Sequence, residues 1–97
     1  MLTQQQKKII LDVLQPFNPV EVGIFGSFAR GEEGPNSDID ILIDFGTTRL
    51  TLFDLVQIGD ALEEKLGRKV DLVTKRALHP FLKPIIEKDL QIISTAA

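Results

Sequence analysis

The sequence predicts an α/β (α+β) fold, a small mixed β-sheet flanked by helices, and three observations carry that expectation. Segments of helical period alternate with segments of strand period along the chain. Its 97 residues suffice for one hydrophobic core but not for two, which predicts a single domain over residues 1–97. A glycine turn at Gly26 is followed by Ser37-Asp38-Ile39-Asp40, where two acids stand i and i+2 at the start of a strand-like run.

Taken in order, Thr3 and Gln6 match a capping box, and Ile9, Ile10, Val13, Leu14 and Phe17 recur at helical spacing, predicting a helix over about residues 4–15. Pro16 and Pro19 end it. Val20 to Phe25 reads as a strand with Val20, Val22 and Ile24 on one face, and Gly23 invites close approach by another group. Phe28 to Gly31 allows about one helical turn before a Gly, Pro and Asn loop, Glu32 to Ser37. The next strand is Asp38 to Phe45, with Ile39, Ile41, Ile43 and Phe45 on the face opposite the acids. Thr51 and Asp54 form a second capping box, and Leu52, Leu55, Val56, Gly59, Leu62 and Leu66 define the expected inner face of a helix closed by Gly67. Gly59 inside that helix suggests tight packing against a neighbouring backbone. A short strand, Lys69 to Val73, carries Asp71. The chain then offers a helix over Ile85 to Leu90 and a last strand over Gln91 to Ser94.

The balance of 43% hydrophobic and 26% charged residues is that of a globular protein. A net charge of -3 speaks against holding nucleic acid by broad phosphate neutralisation. Local basic pairs remain at Arg68-Lys69 and Lys75-Arg76, suited either to a triphosphate or acidic partner or to solvated strand ends. With no cysteine there are neither disulfides nor thiolate metal sites. No apolar run reaches membrane-spanning length and no signal-peptide pattern is visible, so a cytoplasmic location is expected.

Asp38 and Asp40 project to the same side of their strand, where like charges repel unless one takes up a proton or a cation sits between them. Hard oxygen ligands suit magnesium, which takes the rest of its shell from water and phosphate. Gly26 and Ser27 lie where a strand turns into a short helix, offering unpaired N–H groups and a hydroxyl to an anion, with the fork of Arg30 close by. Asp44 shares that strand face but lies too far along it to join the pair. Asp54 and Asp60 fit helix-cap and helix-surface roles, and Glu63 and Glu64 read as ordinary surface residues. His79 reads as a neighbour of a helix start rather than a ligand, and Phe28 as a packing residue.

The pattern Gly26-Ser27-x-Ala29-Arg30-Gly31, five residues, then Ser37-Asp38-x-Asp40 resembles the signature of the DNA polymerase β-like nucleotidyltransferase superfamily. The short chain resembles its minimal nucleotidyltransferase (MNT) domains, and Asp71 matches the later strand aspartate. The resemblance implies the polymerase β-like nucleotidyltransferase fold and transfer of a nucleoside monophosphate from a triphosphate such as ATP to an acceptor hydroxyl, with pyrophosphate leaving. By similarity, Asp38, Asp40 and Asp71 are the catalytic and metal-binding residues for two Mg2+ ions, while Gly26, Ser27, Arg30 and Ser37 hold the nucleotide. MNT proteins of this kind are commonly antitoxins of HEPN ribonuclease toxins, which they silence by moving AMP to a toxin tyrosine. This chain has no tyrosine, so such an acceptor belongs to a partner. The alternatives are a non-catalytic antitoxin that neutralises its partner by complex formation, and a nucleotidyltransferase of small molecules. Phe53 and Ile58, off the expected inner face, together with the terminal Ile92 and Ile93, are candidates either for a partner surface or for burial by the sheet and helices.

Overall fold

A computed structural model describes residues 1–95. The elements run α1 (Gln4–Leu14), a 3-10 turn (Gln15–Phe17), β1 (Glu21–Phe25), α2 (Ser27–Arg30), β2 (Ile39–Asp44), α3 (Leu52–Leu66), β3 (Val70–Thr74), a second 3-10 turn (Lys75–Ala77), α4 (Lys83–Asp89) and β4 (Gln91–Thr95). The strands form one mixed sheet in the order β3-β2-β1-β4. β1 is antiparallel to both β2 and β4, whereas β2 and β3 are parallel and joined through α3. Parallel neighbours need such a crossover, and the chain supplies a fifteen-residue helix for it.

Both expected capping boxes are present. Thr3 accepts from the Gln6 N–H while the Gln6 side chain accepts from the Thr3 N–H, and Thr51 and Asp54 make the same exchange. Gly67 ends α3 in the left-handed conformation, φ 66°. In α4, Pro84 falls in the first turn, where a missing N–H leaves no helical bond unmade.

Ile10 and Leu14 of α1 and Ile58 and Leu62 of α3 form one core with Val22 and Ile24 of β1 and Ile39, Ile41 and Ile43 of β2. The two long helices thus cover one sheet face. On the other face Gly23 and Leu42 are register partners, and the α4–β4 junction descends onto them. A Cβ on Gly23 would stand 2.6 Å from Leu90 Cδ1, so the absent side chain is what lets Leu90 seat on the sheet. This cover leaves the beginning of β2 open.

Three sequence expectations change. On α3, Leu52 and Val56 are 78% and 51% exposed, whereas Ile58, expected off the inner face, is 1% exposed. Gly59 meets nothing: a Cβ there would have no atom within 4 Å, so close packing does not explain it. Val20 lies outside β1 and is exposed, although its N–H still donates to the Asp44 carbonyl at 2.7 Å. Of the suggested partner surface, Phe53 and Ile92 are exposed, but Ile93 packs partly against the core.

Candidate active site

The parallel register pairs Asp40 of β2 with Asp71 of β3. Register partners share a sheet face, so both carboxylates rise from the face opposite α1 and α3. Asp38 precedes β2 and is exposed, Asp40 is half-buried, and Asp71 is exposed. Ile39 and Ile41, both fully buried, anchor the backbone on either side of Asp40.

Asp40 carries the electrostatic strain of this arrangement. Burial, then the charges of Asp71 and Asp38, push its carboxyl from the ordinary 3.8 up to about 6, although the charge of Arg30 opposes the shift. A shared hydrogen bond with Asp71 acts in the same direction as burial. Among the described residues no three or more acidic, histidine or cysteine side chains are gathered closely enough to hold a metal ion by themselves. The chemistry of the donors nevertheless fits a divalent cation. A half-buried carboxylate raised by two like charges, all with hard oxygen donors, is relieved when a cation joins them.

Gly26 meets Asp40 directly. Its φ of 72° and ψ of −152° belong to a region that side chains disfavour, and a Cβ would lie 2.1 Å from Asp40 Oδ2. The glycine therefore serves both the bend and the carboxylate beside it. Phe28 and Ala29, 3% and 5% exposed, bury the inner side of α2 and fix the bend to the core. Gly31 then turns the chain out with φ 72°.

Of the other expected nucleotide residues, Ser27 opens α2, whereas Arg30 and Ser37 are engaged with protein groups. Arg30 donates from Nη1 to Asp89 Oδ2 at 2.7 Å and from Nε to Glu32 Oε2 at 3.1 Å, linking α2 to α4. Ser37 Oγ accepts from the Gly34 N–H at 2.8 Å, shaping the turn ahead of Asp38. Asp44 accepts from the Gly46 N–H at 2.8 Å and lies 3.9 Å from Lys75, outside the aspartate group. His79 stacks on Phe81 with ring centres 5.2 Å apart, and its Nδ1 accepts from the Phe81 N–H.

Sequence reasoning missed three supporting residues. Glu63, read as a plain surface residue, accepts from the Val70 N–H at 3.0 Å and ties α3 to the start of β3. Asp89 holds Arg30 across 59 residues of chain. Arg68 donates to main-chain carbonyls of the 34–37 turn. The Arg30–Asp89 pair is 59 residues apart and Arg68 reaches backbone carbonyls, so no local residue pattern reveals these two contacts.

Comparison with known proteins agrees with this geometry. Residues 6–93 match the family described as nucleotidyltransferase domain. A candidate protein adenylyltransferase of Methanocaldococcus jannaschii is 44% identical over 77 residues, covering 79% of this chain and 82% of that one. Protein adenylyltransferase MntA of Thermococcus cleftensis is 39% identical over 83 residues, covering 80% and 83%. A solved candidate minimal nucleotidyltransferase superposes with TM-score 0.77 at 35% identity over 91% of this chain and 89% of its own. A chain from the complex of a tri-AMPylated Shewanella oneidensis HEPN toxin with an MNT antitoxin shares the fold, with TM-score 0.79 at 20% identity over 98% and 74%. By its family match over nearly the whole described chain and by the sheet that carries Asp40 beside Asp71, this protein belongs to the nucleotidyltransferase domain family.

Proposed function

We propose that this chain is a magnesium-dependent protein adenylyltransferase that moves AMP from ATP to a tyrosine hydroxyl of a HEPN-type toxin partner, releasing pyrophosphate in the cytoplasm. The observation that carries the reading is the pairing of Asp40 with Asp71 on one open sheet face, against a glycine bend that has no room for a side chain. The names of the relatives support protein adenylylation. Solved neighbours in toxin–antitoxin complexes support the class of partner. The absence of tyrosine from the chain agrees with an acceptor supplied by another protein.

Asp38 and Asp40 would hold magnesium, with Asp71 completing the acidic group. When bound, magnesium supplies positive charge for the triphosphate and for oxygens that gain negative charge during in-line displacement. The remaining chemistry falls to the chain. Gly26 and Ser27 receive the leaving phosphates at the bend, and Arg30 serves them once its guanidinium exchanges Asp89 and Glu32 for phosphate oxygens. Asp71 is the exposed member of the register pair; in this reading it faces the acceptor and takes the hydroxyl proton as the oxygen bonds to the α-phosphorus and pyrophosphate departs.

The test is mass spectrometry of a purified HEPN partner after incubation with this protein, ATP and magnesium. A mass gain of AMP on a tyrosine is expected, and it disappears when Asp38→Asn and Asp40→Asn are combined. An inhibited but unmodified partner would instead establish neutralisation by complex formation, a second reading favoured by the exposed Phe81 and Ile85, 82% and 65% accessible, on and beside α4.

A further inference from the structure

Arg68 leaves the bend between α3 and β3 and reaches back across the site. Its Nη1 stands 3.1 Å from the Gly34 carbonyl oxygen, 3.3 Å from that of Pro35 and 3.1 Å from that of Ser37. Its Cζ lies 5.0 Å from the centre of the Phe28 ring. Phe28 is buried in α2, directly after Ser27, while Ser37 directly precedes Asp38 and Asp71 follows Arg68 in the adjoining strand. One guanidinium therefore joins the three segments that meet at the site.

The 34–37 turn closes on itself through Gly34 N–H to Ser37 Oγ at 2.8 Å and Ser37 N–H to the Gly34 carbonyl at 3.2 Å. Those bonds shape the turn without tying it to its surroundings. Arg68 supplies the side-chain tie, beside the backbone bond from the Ile39 N–H to the Lys69 carbonyl at 3.0 Å just past Asp38. Asp38 lies ahead of the first ladder residue of β2, so the place of its carboxylate beside Asp40 and Asp71 depends on how this turn is held.

We propose that Arg68 is a positioning residue of the metal site: by clamping the 34–37 turn over Phe28 it fixes Asp38 beside Asp40 and Asp71. The inference rests on the reading of these aspartates as a divalent-metal site. Lysine is a poor replacement, because an ammonium on a flexible stem has no planar face to lie over the Phe28 ring, and that stacking is what holds Nη1 against the three carbonyls. Electrostatics and positioning predict opposite signs. Removing a cation near a cation site tightens metal binding by Coulomb's law, whereas losing the clamp weakens it.

The experiment is a Mn2+ titration of the full chain, read by the electron paramagnetic resonance of free Mn2+, for wild type, Arg68→Lys, Arg68→Ala and Asp38→Asn. Circular dichroism reports the fold of each. About tenfold or greater weakening is expected for both Arg68 variants, the range typical when a partner that orients a metal ligand is lost. Arg68→Lys keeps the charge and the aliphatic stem, so it decides the matter if Arg68→Ala fails to fold. Folded Arg68→Lys that binds Mn2+ as tightly as wild type overturns the inference, and tighter binding by folded Arg68→Ala does the same. Wild-type binding that is weakened by Asp38→Asn but untouched by Arg68→Lys removes the role of Arg68 and leaves the metal site standing. A wild type that binds no Mn2+ overturns both.

Discussion

Asp40 is where the cost of the site is concentrated. Its carboxyl is raised from 3.8 to about 6 by burial and by Asp71 and Asp38, so in the absence of metal the native state holds a proton that the unfolded chain releases. The sign follows. Both states are protonated below the unfolded value, and stability is lost as pH rises from about 4 through about 6. Allowing for solvent screening of a group that is only half-buried, the loss is on the order of 1 kcal/mol. Asp40→Asn is expected to remove this dependence and to melt higher than wild type at neutral pH in chelator, while abolishing transfer. Thermal melts from pH 4 to 8 check it, and a wild-type melting temperature flat across that range would refute the strain. The glycines give a second contrast at this scale. Gly26→Ala adds a methyl 2.1 Å from the Asp40 carboxylate in a backbone conformation suited to glycine, which should cost about 1–3 kcal/mol and most of the activity. Gly23→Ala meets chiefly the end of the flexible Leu90 side chain, at 2.6 Å, with the Gln91 carbonyl in ordinary contact at 3.4 Å, so it should cost less and leave chemistry largely intact. Urea unfolding of the two variants ranks them.

Element by element, what the sequence revealed depended on whether one signal stood alone. The capping boxes at Thr3 and Thr51 and the cap at Gly67 were legible because each is a local bond between near neighbours. The inner face of α3 was not, since its apolar residues occupy two adjoining stripes. Leu55, Ile58, Leu62 and Leu66 cluster around one direction, whereas Leu52 and Val56 lie about 80–120° round the helix from Leu62 at 3.6 residues per turn. Periodicity alone could not choose between the stripes, and the sheet chose the first. Ile58→Ala should therefore cost about 2–5 kcal/mol, and Phe53→Ala, 68% exposed, about 0.5 kcal/mol or less by chemical denaturation. Gly59→Ala should stabilise by up to about 1 kcal/mol, because a methyl there meets no atom within 4 Å and the helix gains the propensity of alanine. A drop in stability would mean that the glycine serves something outside this chain.

For the whole molecule, the division of the sheet explains why so small a chain can carry a site. The long helices commit one face to the core, and Leu90 over Gly23 covers part of the other, leaving the β2–β3 edge with Asp40 and Asp71 free to take a ligand. The aspartate pairing was legible because strand alternation and the family signature pointed to the same residues. Arg68 and Asp89 stayed hidden because their partners are distant in sequence and include backbone carbonyls. Since the core contains none of the acids, folding should not need metal, and ligand should act by mass action on an already folded chain. At a hundredfold excess over its dissociation constant, a ligand specific for the native state adds about 2.7 kcal/mol. For a chain of this size that amounts to a rise in melting temperature of about 10–20 °C. Magnesium with a non-hydrolysable ATP analogue should give such a rise in wild type and little in the Asp38→Asn, Asp40→Asn double variant, while the analogue in chelator should give a smaller rise because the acidic group then repels the triphosphate. A shift of equal size in wild type and double variant would place nucleotide binding away from these aspartates, and the proposed chemistry would lose its site.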